Sequence, residues 1–341
     1  MKKCSDLSVV RTELKDVVPL DTPYALHIDP TNFCNFHCSF CPRNLDDFYD
    51  IAGDYKHMDL KLFKKIISDV EKFPKKLKVI RLYYLGEPLF NPDFMEMFSV
   101  VCKSNCCERI ELTTNGSMLT KEKAASLLEA AKQFDGDIYV RVSVYAVDQK
   151  HFVYVTSNNM DVNIIKENVS QLFAMRNQSD VSNVLIYAKK LKTMDEEDEL
   201  FINTYKPIVD EVALEEPMNW SGDGGDDNFL LKKEYSEAKL ETLDQGIIYP
   251  KVCSYLFTTL SIQSDGVVVV CCVDWSRKTK CGDVNKQSLQ DIWYGDELKQ
   301  LRLLHLDGRR KEIASCKNCK RMPLAECDRL DDCSVAIRKR L

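Results

Sequence analysis

Residues 24–42 read YALHIDPTNFCNFHCSFCP. The opening YALHID is a short apolar run stopped by Pro30, the pattern of a buried strand. Cys34, Cys38 and Cys41 follow as CxxxCxxC, so three thiols share the loop that leaves this strand. Three is fewer than the four N/S ligands of a structural zinc site. His37 is an awkward fourth ligand because it adjoins Cys38. A [4Fe–4S] cluster held by three thiolates would keep one iron open to a substrate or cofactor.

Outward from this loop, β-rich runs alternate with helical stretches. Strands are expected at 24–29, 78–85, 109–113, 137–144, 183–188 and 209–214. Helical periodicity marks 61–72, 94–102, 121–134, 162–176 and 195–205, with Thr120 placed as an N-cap. About six βα units imply a parallel sheet with right-handed crossovers, either open and doubly wound or a full or partial TIM-type barrel. In each case the site lies at the C-terminal ends of the strands. Residues 221–229 (SGDGGDDNF) are loop-like, and the domain boundary is placed at 221–250. Beyond it, 256–262 and 267–271 flank Asp265-Gly266, a hairpin signal, and 289–306 reads as a helix.

The chain has 341 residues, 47 Lys+Arg against 53 Asp+Glu, 12 Gly, 11 Pro and 15 Cys. Its apolar fraction supports a packed core, and its slightly acidic balance argues against general binding to nucleic acid. No secretory leader or membrane-spanning stretch is read in it, so a cytoplasmic protein with reduced thiols is expected. Many cysteines in such a compartment call for a metal. Cys102, Cys106 and Cys107 read as buried small hydrophobes. Cys253, Cys271, Cys316 and Cys319 form a second group, a hairpin pair and a CxxC pair able to converge on a four-thiolate site or a zinc ribbon.

The CxxxCxxC loop after strand one, with Phe40 before its last cysteine, resembles the radical S-adenosylmethionine (SAM) superfamily. Gly86-Glu87-Pro88 resembles that family's GGE motif, with Leu85 in place of the first glycine. Thr113-Thr114-Asn115-Gly116 resembles the segment bordering SAM, and Ser143 falls at the family's polar position after strand four. The resemblance spans residues 22–220. It implies a partial (β/α)6 TIM-type barrel, with a [4Fe–4S] cluster on Cys34, Cys38 and Cys41. It implies a SAM pocket built from Phe40, Gly86, Glu87, Pro88, Asn115 and Ser143.

Residues 251–341 resemble the SPASM/twitch auxiliary-cluster domains, which carry a small β-hairpin and helix. The spacing of Cys253, Cys271, Cys316 and Cys319 is similar to the single-cluster twitch form of 2-deoxy-scyllo-inosamine dehydrogenases. The following Cys319-x7-Cys327-x5-Cys333 departs from the second-cluster run of full SPASM domains, so one auxiliary [4Fe–4S] cluster is expected. The resulting division is an N-terminal extension (1–21), the barrel (22–220), a linker (221–250) and the auxiliary-cluster domain (251–341).

The function implied is a radical SAM oxidoreductase that takes hydrogen from a C–H bond. The favoured substrate is a sugar or aminocyclitol secondary alcohol, and the electron donor a flavodoxin- or ferredoxin-type protein. Lys189, Glu215 and Trp220 are candidate substrate-facing groups. A peptide-modifying or epimerising enzyme is the first alternative. It is disfavoured because no peptide-recognition domain fits ahead of the first strand. The second is a non-catalytic Fe–S or zinc protein, which would have no need of a SAM pocket.

Overall fold

The computed structural model describes residues 12–193, 196–216 and 247–341. Trp220, Cys4 and most of the expected linker lie outside them. Nine strands form one sheet in the order β6-β5-β4-β3-β2-β1-β7-β8-β9. They are β1 Ala25–Ile28, β2 Val79–Arg81, β3 Arg109–Thr114, β4 Asp137–Ser143, β5 Val184–Leu191, β6 Glu211–Glu215, β7 Thr259–Ile262, β8 Val267–Val269 and β9 Lys280–Asp283. The strands β1 to β6 are all parallel to their neighbours. Helices cross over between them, as in a partial TIM barrel.

Strand alternation explains the two layers. Along β4, Ile138, Val140 and Val142 are fully buried while Tyr139, Arg141 and Ser143 are half-buried. Successive side chains point to opposite faces. The apolar set therefore packs outward onto the helices, and the polar set lines the barrel lumen. Helices Leu60–Val70, Phe94–Ser104, Lys121–Ala131 and Asn163–Asn177 cover the outside. Each fully buried Leu, Ile or Phe in this layer contributes roughly 1.5–3 kcal/mol. Asp59 accepts from the Lys61 and Leu62 amides, and Thr120 from the Lys123 amide, so both helices start on a side-chain cap.

The C-terminal hairpin belongs to the same sheet. β7 runs parallel to β1, with Ala25 opposite Thr259 and Ile28 opposite Ile262. β8 and β9 then continue antiparallel, and Gly266 makes the turn at φ 94°. Asp69 fastens the far side. Its carboxylate accepts from the Leu289 amide at 3.3 Å, and its carbonyl from Gln290 Nε2 at 2.7 Å.

Three expected elements differ, and one helix was not expected. Strand 78–85 ends at Arg81, because Leu82–Leu85 peel away and the Leu85 amide donates to Asp29 Oδ1. Residues 256–258 belong to a helical turn, Tyr255–Thr258, ahead of β7. Helix 289–306 is two helices, Leu289–Trp293 and Asp296–Leu306. Helix Gln149–Thr156 went unread; Asp148 caps its start, and Ser157 ends it at φ 51°. No helix among the described residues is long and apolar enough to cross a membrane.

Candidate active site and auxiliary cysteine site

The loop after β1 is fixed by its neighbours on three sides. The His37 and Ser39 amides donate to the Thr156 and Val155 carbonyls, so the unread helix Gln149–Thr156 carries the cysteine loop. Arg43, itself buried, donates through one terminal nitrogen to the Cys34 and Phe36 carbonyls, both at 3.3 Å. Tyr145, two residues past Ser143, packs its ring 5.6 Å from that of Phe40.

The segment after β2 approaches the loop from below. The Glu87 amide donates to the Phe33 carbonyl at 2.7 Å. A Cβ on Gly86 would lie 2.1 Å from the Thr31 oxygen and 2.3 Å from that of Phe33, so only glycine fits. The Glu87 carboxylate is buried. Oε1 accepts from Thr114 Oγ1 at 2.6 Å and the Leu89 amide at 3.1 Å, and Oε2 from the Asn115 amide at 2.7 Å. Burial raises its pKa, and these bonds partly offset the rise. Asn115 Nδ2 donates to Asn35 Oδ1 at 2.9 Å and lies 3.9 Å from Cys34 Sγ. Cys34, Glu87, Pro88 and Asn115 thus meet at the C-terminal ends of β1, β2 and β3. Ser143 closes β4 directly opposite Lys189 on β5.

Cys34, Cys38 and Cys41 are free thiols. Burial pushes Cys34 up to about 12, and Cys38 and Cys41 upward as well; Cys38 also feels the charge of both others. A bound metal reverses that preference by taking the thiolate form. Among the described residues, the only three metal-ligating atoms within 4.8 Å of one another belong to Asp148, His151 and Glu197. Three soft thiol donors are one short of a structural zinc shell and suit a cluster that keeps one iron open.

Cys253, Cys271, Cys316 and Cys319 converge beside the hairpin. Cys253 feels the charge of Cys316 and Cys319, and Cys271 that of Cys253 and Cys316. These four are likewise free thiols. Arg310 donates to the Cys316 and Cys319 carbonyls at 3.3 Å, and the Cys253 amide to His305 Nδ1 at 3.1 Å. Of the remaining late cysteines, Cys272 feels the charges of Arg81 and Cys319 and acts on Cys271, Cys281 lies in the core near Arg302 and feels the charge of Cys316, and the charge of Cys333 acts on Lys15. Cys102, Cys106 and Cys107 are buried in the core, as their sequence context implies.

Between the two thiol groups, the lumen carries charges that the sequence reading largely missed. Arg81, Tyr83, Glu111 and Arg141 line it together with Lys189 and Glu215. Arg81 Nε donates to Glu111 Oε2 at 2.8 Å, Arg141 to Glu215 Oε1 at 2.9 Å, and Lys189 Nζ to Glu215 Oε2 at 2.8 Å. Their period-two placement in RIELT and DIYVRVS was the available signal.

Comparison with known proteins agrees with this geometry. Residues 28–192 match the model of the radical SAM superfamily, and residues 253–320 that of SPASM, an iron–sulfur cluster-binding domain. The chain is a radical SAM enzyme with a C-terminal SPASM domain, using a [4Fe–4S] cluster, SAM and auxiliary iron–sulfur binding. A tungsten-containing aldehyde ferredoxin oxidoreductase cofactor-modifying protein of Pyrococcus furiosus is 25% identical over 318 residues, 82% of this chain and 83% of its own. A GTP 3',8-cyclase of Actinobacillus pleuropneumoniae is 26% identical over 145 residues, 41% of this chain and 38% of its own.

Among solved structures, BtrN in complex with AdoMet and 2-DOIA superposes with a TM-score of 0.52 at 17% identity, covering 87% of this chain and 92% of BtrN. Streptococcus suis SuiB bound to precursor peptide SuiA gives 0.58 at 16%, covering 85% and 68%. AnSMEcpe with bound AdoMet gives 0.57 at 13%, covering 93% and 92%. At such identities the likeness is one of fold. The non-catalytic alternative falls with the superfamily match.

Proposed function

We propose that this enzyme oxidises a secondary alcohol of a sugar or aminocyclitol. The observation that carries this reading is the lumen itself. Below Ser143 it is walled by guanidinium, ammonium, carboxylate and phenol groups, which suit a densely hydroxylated small molecule better than an apolar peptide side chain. The division into extension (1–21), barrel (22–220), linker (221–250) and auxiliary region (251–341) is supported by the two family matches.

In this reading Cys34, Cys38 and Cys41 hold the SAM-binding cluster, and Cys253, Cys271, Cys316 and Cys319 the auxiliary one. When bound, the cluster and SAM supply a one-electron cleavage that yields methionine and a 5′-deoxyadenosyl radical able to take hydrogen from C–H. Phe40, Gly86, Pro88, Asn115 and Ser143 border SAM. Glu87 has one acceptor position left on Oε2 for the methionyl ammonium. Lys189 donates to the substrate oxygen while Glu215 takes the hydroxyl proton. The auxiliary cluster would accept the electron that the substrate radical gives up on becoming a ketone, so that overall SAM and the alcohol become methionine, 5′-deoxyadenosine, a ketone and a proton. A flavodoxin- or ferredoxin-type protein supplies the initiating electron.

The test is anaerobic turnover of reconstituted enzyme with SAM and dithionite, using sugars, cyclitols and peptides deuterated at carbon. Deuterium in 5′-deoxyadenosine, with loss of two hydrogens from a sugar or cyclitol, is expected. Deuterium transfer from a peptide alone would overturn the reading.

A further inference from the structure

We propose that Arg43 and Arg310 are matching positioning residues, one for each group of thiols. Each fastens its cysteine loop and, through its charge, sets the reduction potential of the cluster that the loop holds. This rests on the ligand assignment proposed above and is independent of the substrate.

The two arginines repeat one arrangement in separate parts of the fold. Arg43 lies in the turn Pro42–Asn44 that leaves the first cysteine loop. Its Nη1 donates to the Cys34 and Phe36 carbonyls, both at 3.3 Å. Arg310 opens the turn Arg310–Glu312 that precedes Cys316. Its Nη1 donates to the Cys316 and Cys319 carbonyls, again both at 3.3 Å, with Met322 Sδ at 3.4 Å. In each case one corner of a guanidinium closes a cysteine-bearing turn, which holds the charge beside the thiols.

Among the described residues, no carboxylate pairs with either arginine. Arg43 is only 6% exposed, and its Nε has no hydrogen-bond partner. Its Nη2 donates to Tyr49 Oη, and its Cζ stands 5.9 Å from the ring centroids of Phe48 and Tyr49. A buried cation without an anion is costly. The anion at hand is the thiolate set. Burial disfavours the charge of Arg43, but Tyr49, Cys34 and Cys41 outweigh burial and shift its pKa upward.

The thiols feel the same charges. Burial raises Cys34, Cys38 and Cys41, and Arg43 opposes that rise at each of them. Burial also raises Cys253, Cys316 and Cys319, and Arg310 opposes it at each. Other charges act on single ligands: Glu87 raises Cys34, Asp274 raises Cys316, and Arg321 lowers Cys319. A reduced iron–sulfur cluster carries more negative charge than its oxidised form, so a fixed cation favours the reduced form and raises the potential. Arg43 thereby eases entry of the initiating electron. Arg310 makes the second group a better acceptor for the electron that leaves the substrate radical.

The experiment is a redox titration of the reconstituted enzyme without substrate, followed by electron paramagnetic resonance. Added SAM alters the signal of the cluster with the open iron and so tells the two apart. Arg43→Gln should lower the potential of the SAM-responsive cluster alone, and Arg310→Gln that of the other alone. Each shift should be about 59 mV or more, a tenfold fall in the reduced-to-oxidised ratio at fixed ambient potential. Arg43→Lys and Arg310→Lys keep the charge without the planar fork and should recover most of the shift. Iron content and melting temperature report whether each variant is intact, and Arg43→Met or Arg310→Met replaces a glutamine variant that fails to hold its iron. An unchanged potential in an intact neutral variant, a shift in the wrong cluster, or a lysine variant as low as the neutral ones would overturn the proposal. So would loss of iron from the lysine and neutral variants alike, which would make the arginines structural props only. Iron kept by the lysine variants at near wild-type potential, but lost from the neutral ones, supports it. The shifts without alcohol oxidation would refute the proposed function alone. Alcohol oxidation with unmoved potentials would refute this inference alone.

Discussion

Thr114 Oγ1 donates to Glu87 Oε1 at 2.6 Å, tying the end of β3 to the segment that follows β2. Three donors converge on this one buried carboxylate, and the cysteine loop rests on the same segment. Glu87→Gln replaces one accepting oxygen with a donating amide, so an N–H faces another donor. A loss of about 1–3 kcal/mol in stability is expected, together with weaker SAM binding by equilibrium dialysis. Wild-type values for both would show that the carboxylate does not organise the pocket.

Gly86→Ala acts through sterics alone. Its Cβ would press on two backbone oxygens, which cannot swing aside as a side chain can. A cost of about 1–3 kcal/mol or more is expected, with less iron retained on the loop of Cys34, Cys38 and Cys41. Denaturant titration and iron analysis of the purified variant measure both.

Reconstituted enzyme should hold about eight irons per chain, four in each of two clusters. The triple variant of Cys34, Cys38 and Cys41 to alanine should keep about four and make no 5′-deoxyadenosine. Roughly twelve in the wild type would mean that the other late cysteines assemble a further centre.

Asp69, which hydrogen-bonds the C-terminal region, is also ion-paired with Lys65 and Lys72 of its own segment. Burial pushes its pKa up, but Lys72 and Lys65 outweigh burial, and the net value lies below the ordinary one. The carboxylate therefore stabilises the fold above its unfolded pKa of about 3.9, and that contribution is lost as pH falls through the depressed folded value. Asp69→Asn should cost about 1 kcal/mol near neutral pH, a modest figure because both lysines are exposed. The gap between variant and wild type should close as the solution is acidified. A gap independent of pH would assign the effect to the lost hydrogen bonds instead.

The parts of the site that could be read from the chain are those fixed by local backbone demands. Gly86 is required by the approach of Thr31 and Phe33, and Gly116 turns at φ 75°. The helix starts at Thr120 because its hydroxyl caps the Lys123 amide. Pairing across distance is different. Nothing in Thr-Leu-Ser-Ile marks β7 as the neighbour of β1, since strand partners are chosen by tertiary packing rather than by propensity. The helix Gln149–Thr156 hides in a β-branched, aromatic stretch, HFVYVT, and exists because Asp148 caps it and the cysteine loop leans on it. The lumen charges were hidden for a third reason: alternate polar residues on a strand look like a solvated face until the sheet curls around them.

The parallel pairing of β1 with β7 has a consequence for how the molecule is made. The strand that launches the cysteine loop is flanked by β2 on one side and by β7 on the other, and β7 lies beyond every other barrel strand in the chain. On the ribosome, one edge of β1 therefore stays open while the six-stranded part is synthesised, and it closes only when residues 259–262 emerge. Such sequence-distant closure is slow, and an open edge invites association. A chain truncated before β7 would keep the three thiols of the first loop yet present that edge to its neighbours.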